Sequence, residues 1–324
     1  MVSTRTRRPD LFSPVWEFLV GWMVNIAGYL DMMRPANCFM AVTSVFIGFF
    51  LITGVSYSFF SLSLLFASAA VFLITGAGNV INDYYDIESD KINKPKRPIP
   101  SGKVSLNSAL FFAYGLFVIG IMLSFINFFM FLIAFINSVI LIFYSRNFQN
   151  KILIGNISIG YLAGSTFLYG GAAAGKPELL ATPLILGLLA GLATIAREIV
   201  KDLEDIEGDK RSFLKRITKK VGDLAERFKL TKHGVKLKFS ENTATSIALI
   251  CILLAVVFSV LPYHWGLLGM GYPVVLIPCI LLFLWSAFDL IFRARKPKDF
   301  ARISKEIKIS MFIGFIAFIA GIVF

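Results

Sequence analysis

The sequence predicts an all-α, polytopic membrane protein whose nine transmembrane helices enclose a lipid-accessible cavity. Three observations lead there. The 324 residues are 57% hydrophobic and only 16% charged, against about 25% charged in an ordinary soluble domain. Asp, Glu, Lys and Arg are absent from residues 35–82, 104–145 and 242–288, and from the shorter stretches 152–175, 179–196 and 309–324. The remaining basic residues gather at alternate connections between those stretches.

A membrane-spanning helix needs about 20 mostly apolar residues. Each long stretch therefore holds two helices and each short one a single helix. The expected spans are 37–53, 61–84, 106–124, 128–145, 152–172, 179–203, 243–261, 267–289 and 307–324. Turn-forming residues interrupt the long stretches at Thr53-Gly54, between Ser124 and Asn127, and at Leu261-Pro262. The last span reaches full length when Lys305 or Lys308 extends its ammonium to the interface. Helices are expected because lipid leaves no partner for unpaired backbone groups. A β-barrel is disfavoured, since the segments are too long and do not alternate apolar with polar residues.

Of the 32 Lys and Arg residues, all but Lys176 lie in or beside the N-terminal segment and the even-numbered loops. The positive-inside rule then puts the N-terminus and those loops in the cytoplasm, and the C-terminus outside. This also accounts for the net charge of +12 without a nucleic-acid partner. Residues 1–33 form a basic extension with an interfacial helix near Trp16–Leu30, and no signal-peptide cleavage site is evident. Cys38, Cys251 and Cys279 are isolated in apolar surroundings and read as buried structural residues.

Two acidic runs carry the chemistry. Asn82, Asp86 and Asp90 recur every fourth residue at the end of span 2, with Asp83 beside them. On a continuous helix all four fall within an arc of about 100°. The second run ends span 6, where Glu198, Asp202, Asp205 and Asp209 share one face; Glu204 and Glu207 face elsewhere. Loop parity puts both runs at the cytoplasmic boundary. Carboxylates gathered there repel one another and need cations. A donor set of oxygens with no His or Cys favours Mg²⁺. Arg97, Arg146, Lys151, Arg197 and Lys201 lie close by in sequence. Acid and base at one mouth suit a metal–diphosphate complex, and an apolar interior suits a lipid tail. Magnesium then neutralises the departing diphosphate, and aromatic faces such as Tyr144 stabilise an allylic cation.

These pieces resemble the UbiA superfamily of intramembrane prenyltransferases. The matching runs are NDYYDIESD at 82–90, NKPKRPIPSGKVS at 93–105, YSRNFQNKILIGN at 144–156 and KDLEDIEGDK at 201–210. The resemblance covers residues 34–324, treated as one prenyltransferase domain. It implies two Mg²⁺ ions held by Asp83, Asp86, Asp90, Asp202, Asp205 and Asp209. It implies diphosphate or substrate contacts from Asn37, Asn82, Arg97, Arg146, Lys151, Asn156, Arg197 and Lys201. Tyr144 matches an aromatic position beside the reacting carbon, so Lys151, Lys201 and Tyr144 are the expected catalytic residues. Asn37 belongs to the opening run Arg34-Pro35-Ala36-Asn37 and is expected to point inward.

The run at 197–209 most resembles the branch serving archaeal ether-lipid synthesis. That implies geranylgeranyl transfer from its diphosphate to geranylgeranylglyceryl phosphate, a lipid phosphate acceptor. The long basic loop 210–240 departs from the family pattern and is expected to lie on anionic headgroups or over the substrates. Two other readings stay open: prenylation of a quinone or haem precursor, and cation transport. Transport calls for acidic residues deep within the spans, whereas these cluster at one boundary. The pairs Gly160/Gly164 and Gly171/Gly175 allow close helix contact.

Overall fold

The computed structural model describes residues 26–55, 61–148, 152–220 and 230–324, with the side chains at 148, 152–153, 205–220 and 230–241 left undescribed. Among the described residues there is no β-strand. A helix over residues 26–33, α1, leads into α2 (Pro35–Thr53), α3 (Leu62–Tyr85), the short α4 (Ile87–Asn93), α5 (Leu106–Leu123) and α6 (Phe128–Phe143). A π-helical turn, Tyr144–Phe148, separates α6 from α7 (Ile152–Ala173). Then follow α8 (Ala181–Lys220), α9 (Leu230–Phe258), the one-turn α10 (Leu261–His264), α11 (Gly271–Phe292) and α12 (Pro297–Val323). Eight of these, α2, α3, α5, α6, α8, α9, α11 and α12, are long and apolar enough to cross a membrane.

The helix boundaries follow local chemistry. Ser105 caps α5 by accepting from Ser108 N, and Asn127 caps α6 by accepting from Phe129 N at 2.8 Å. Each cap satisfies an N–H that the first helical turn leaves unpaired. Pro35 and Pro297 open α2 and α12, where the missing N–H costs nothing.

Two apolar cores flank α7. One is built from α1 to α6 around Val45, Leu64, Ile81 and Met130. The other is built mainly from α8 to α12 around Leu186, Ile252, Tyr272 and Ile303, joined by Ile47 and Phe167. Lipid supplies little hydrophobic drive between helices, so close packing of small residues matters instead. A Cβ added to Gly164 would sit 2.4 Å from Gly187 O, and one added to Gly160 would sit 2.9 Å from Gly191 O. The spacing noticed at Gly160 and Gly164 is thus met by a matching pair on α8. This contact ties α7 to α8 within one chain. Phe111, Phe128, Val274, Leu281 and Phe312 are exposed on the outside, as lipid-facing side chains should be.

Three elements differ from expectation. The acidic run of α3 is not one helix: Asp86 leaves helical geometry at φ −85°, ψ 3° and separates α3 from α4. Residues 210–220 continue α8, and α9 starts at Leu230, so much of the expected loop is helical. No proline occurs between Pro183 and Pro262 to stop it. Finally, α12 begins at Pro297, ten residues before the span expected at 307–324.

Candidate active site

The first acidic run divides between two faces. Asp83 and Asp90, each 4% exposed, both accept hydrogen bonds from Arg97 Nη1, at 2.9 Å for Asp83 Oδ1. Asp83 Oδ1 is also paired with Arg34 Nη2. Arg97 reaches inward because its loop is pinned from below: Pro98, Ile99 and Val104 are buried. On the other face, Asn82 Nδ2 donates to Asp86 Oδ2 at 2.9 Å.

The second run has a parallel feature. Asn156 Nδ2, on α7, donates to Asp202 Oδ2 at 2.8 Å. Tyr144 links the two runs, since its charged neighbours are Glu198 and Asp202 on α8 and Asp86 after α3. The π-helical turn that carries Tyr144 packs against α3, α6 and α7. Such turns recur at functional sites because they re-aim side chains.

The other expected site residues are distributed unevenly. Arg197 Nη1 pairs with Glu198 Oε1, and Lys201 Nζ lies 3.5 Å from Glu198 Oε2 with its side chain half-exposed. Arg146 is exposed on the π-helical turn, and Asn37 is exposed at the start of α2. Asp205 and Asp209 lie on α8, but their side chains are outside the described set, as is Lys151 altogether. Among the described residues, no three His, Cys, Asp or Glu side chains form a metal-holding group. Arg34 and Asn79 were missed as parts of the site. Arg34 Nη1 lies 3.5 Å from Asn79 Oδ1, and Asn79 Nδ2 donates to Met33 O at 2.8 Å. Only the run Arg34-Pro35 hinted at it, because the residue before a proline is restricted.

A separate apolar cavity, bordered by Leu189, Ala193, Cys279, Gly314 and Phe315, opens between α8, α9, α11 and α12. Ala193 and Asp202 point in roughly opposite directions from α8 at 100° per residue. The cavity therefore belongs to the far side of α8 from Tyr144.

Comparison with known proteins fits this arrangement. Residues 41–316 match the UbiA prenyltransferase family. The chain belongs to that family. Among UbiA-family relatives, the digeranylgeranylglyceryl phosphate synthase of Methanosarcina barkeri (strain Fusaro / DSM 804) is 42% identical over 311 residues, covering 92% of this chain and 99% of the relative. That of Methanococcus maripaludis strain S2 is 36% identical, covering 93% of this chain and 100% of the relative. A solved structure concerning digeranylgeranylglyceryl phosphate synthase in membranes matches with TM-score 0.72 at 35% identity, over 92% of this chain and 99% of its own. A UbiA homologue from Archaeoglobus fulgidus, bound to DMAPP and Mg²⁺, shares the fold at TM-score 0.56 and 17% identity, over 90% of this chain and 98% of its own.

Proposed function

We propose that the chain is a digeranylgeranylglyceryl phosphate synthase. It transfers a geranylgeranyl group from geranylgeranyl diphosphate to geranylgeranylglyceryl phosphate and is Mg²⁺-dependent. The structural observation behind it is that Asp86 of one acidic run and Glu198 and Asp202 of the other all lie within electrostatic reach of Tyr144. The extended similarity to synthases of this activity supports the choice of substrates. The ligands of the A. fulgidus homologue support an isoprenoid diphosphate and Mg²⁺ as its partners.

The donor set fits magnesium. Asp86 and Asp202 are oxygen ligands, each oriented by an asparagine amide, and outer partners of this kind commonly aim metal-binding groups. With Asp205 and Asp209 further along α8, they would hold two ions. Bound magnesium supplies charge neutralisation for the diphosphate. Lys201 and Arg146 add positive charge at the rim and orient the diphosphate, a role the sequence also assigns to Lys151. Tyr144 offers its ring face to positive charge at the allylic carbon.

In the reaction, the donor C–O bond breaks with its electron pair leaving on diphosphate. The acceptor's hydroxyl oxygen forms the new C–O bond and releases its proton. Packed apolar helices keep water from taking the acceptor's place. For this arrangement α7 is the ninth span: its 22 residues are uncharged and packed against α2, α6 and α8. The helices surround a cavity open to lipid beneath the acidic rim. The rim and the N-terminus face the cytoplasm and the C-terminus lies outside, the orientation that the basic connections favour.

The test is a membrane-fraction assay with labelled geranylgeranyl diphosphate and three separate acceptors: geranylgeranylglyceryl phosphate, 4-hydroxybenzoate and a naphthoate. Labelled digeranylgeranylglyceryl phosphate, lost when Mg²⁺ is omitted, is the expected product. Labelling of an aromatic acceptor alone would overturn the assignment.

A further inference from the structure

Arg97 Nη1 holds Asp83 Oδ1 on α3 and Asp90 Oδ2 on α4, and the break between those helices is Asp86. One guanidinium thus bridges the only interruption in the acidic run. Arg34 pairs with the same Asp83 oxygen as Arg97. Its backbone is left-handed, at φ 51° and ψ 70°, and it is the only non-glycine residue with positive φ among those described. Such a conformation persists only where surrounding contacts enforce it. Here the contacts are Asn79, which binds Arg34 and Met33, and Pro35, which opens the next helix.

We propose that Arg34 and Arg97 are positioning residues. Asp83 and Asp90 hold these two arginines rather than magnesium, and the resulting staple fixes the bend that presents Asp86 to the second acidic run. This deepens the proposed function and rests on it. It assigns different work to Arg97, Asp83 and Asp90 from that implied by family resemblance.

Charge and burial carry the argument. Two carboxylates and two guanidiniums sum to zero, and both carboxylates are almost fully buried. Charge-assisted hydrogen bonds of this type are strong, and removing one partner from a buried set leaves the other charge uncompensated. A dication binding at Asp83 or Asp90 would compete for a carboxylate whose charge a guanidinium already balances. Asp86 lies at the bend itself and accepts from the Asn82 amide, so its alignment follows the bend.

The test combines Mn²⁺ titration, by calorimetry in the presence of inorganic diphosphate, with steady-state kinetics. It uses the purified full-length wild type and Asp83→Asn, Asp90→Asn, Arg34→Gln and Asp86→Asn variants. Asp86→Asn is expected to weaken Mn²⁺ binding at least tenfold. Asp83→Asn and Asp90→Asn are expected to keep the wild-type number of ions, with affinity within threefold, while kcat falls. The double variant Asp83→Asn/Arg34→Gln is expected to be no slower than the worse single variant, because the two residues act through one contact. Arg97→Lys is expected to recover part of the kcat lost in Arg97→Gln. Loss of an ion in Asp83→Asn or Asp90→Asn, or multiplied effects in the double variant, would overturn the proposal. If one aspartate variant fails to fold, the other and the Arg97→Lys rescue give the same decision. Unaltered Mn²⁺ binding in Asp86→Asn, or no prenyl transfer by the wild type, would instead strike the proposed function.

Discussion

Asp86 sits between α3 and α4 and Asp202 on α8, yet each receives a hydrogen bond from an asparagine amide at its Oδ2. An amide that only aims a ligand has a moderate effect when removed. Asn82→Ala and Asn156→Ala should therefore lower kcat/KM by about 10–100-fold, with the larger part of the change in the Mg²⁺ requirement. Steady-state assays across a magnesium series check this; unchanged magnesium dependence in both variants would show that the amides do not aim ligands. Lys201, half-exposed beside Glu198, should act on the diphosphate. Lys201→Ala is expected to raise KM for the donor, measured with the acceptor saturating, whereas a change confined to membrane insertion would make it a topological anchor. The contact between Asn82 and Asp86 was legible from their spacing alone. Arg34 was not, because its reach to Asp83 depends on a left-handed residue and on α2 lying across α3. Spacing also put Asp83 and Asp90 in one group with Asp86; their shared contact with Arg97 depends on how the loop after α4 folds back, which local sequence does not reveal.

At the scale of helices, α7 is the element that joins the two cores and brings Asn156 to Asp202. Its alignment on α8 depends on glycine backbones in direct contact. Gly164→Leu should destabilise the protein by about 1–3 kcal/mol, the usual cost of overpacking, and reduce activity with it. Gly115→Ala is the matched control, since a Cβ there meets nothing within 4 Å. Thermal unfolding in detergent distinguishes them: equal midpoints would deny the helix contact. At the corner of α11 and α12, Asp289 is buried and paired with Arg293 and Arg302. Both arginines are half-exposed, so Asp289→Asn should cost about 1–3 kcal/mol, less than a fully buried pair. Turnover per folded molecule should stay near wild type. The long charge-free stretches made most of these helices readable. The break at Asp86 has no glycine or proline to mark it. The continuation of α8 was hidden because its charged residues look like a loop, although most are good helix formers.

For the whole molecule, eight of the described helices are apolar enough to span and the basic residues gather at alternate connections, which predicts one orientation in the bilayer. Reporter fusions after residues 104 and 228 should report the cytoplasm, and a fusion after Lys176 the opposite side. Agreement between the first two is essential, because it places the ends of α3 and α8 at one surface. Charge parity in the sequence is what predicts this arrangement of sides. The separation into two cores with α7 between them was not legible there, since it depends on which helices pack together rather than on where each begins.

The most direct measurement is a double-mutant cycle on donor binding. Purified wild type, Asp86→Asn, Asp202→Asn and the double variant would be titrated with geranylgeranyl diphosphate in saturating Mg²⁺. The account predicts that each single substitution weakens binding strongly and that the double variant is little worse than either, because both carboxylates serve one bound diphosphate. Losses that simply multiply, or no loss in either single variant, would contradict it.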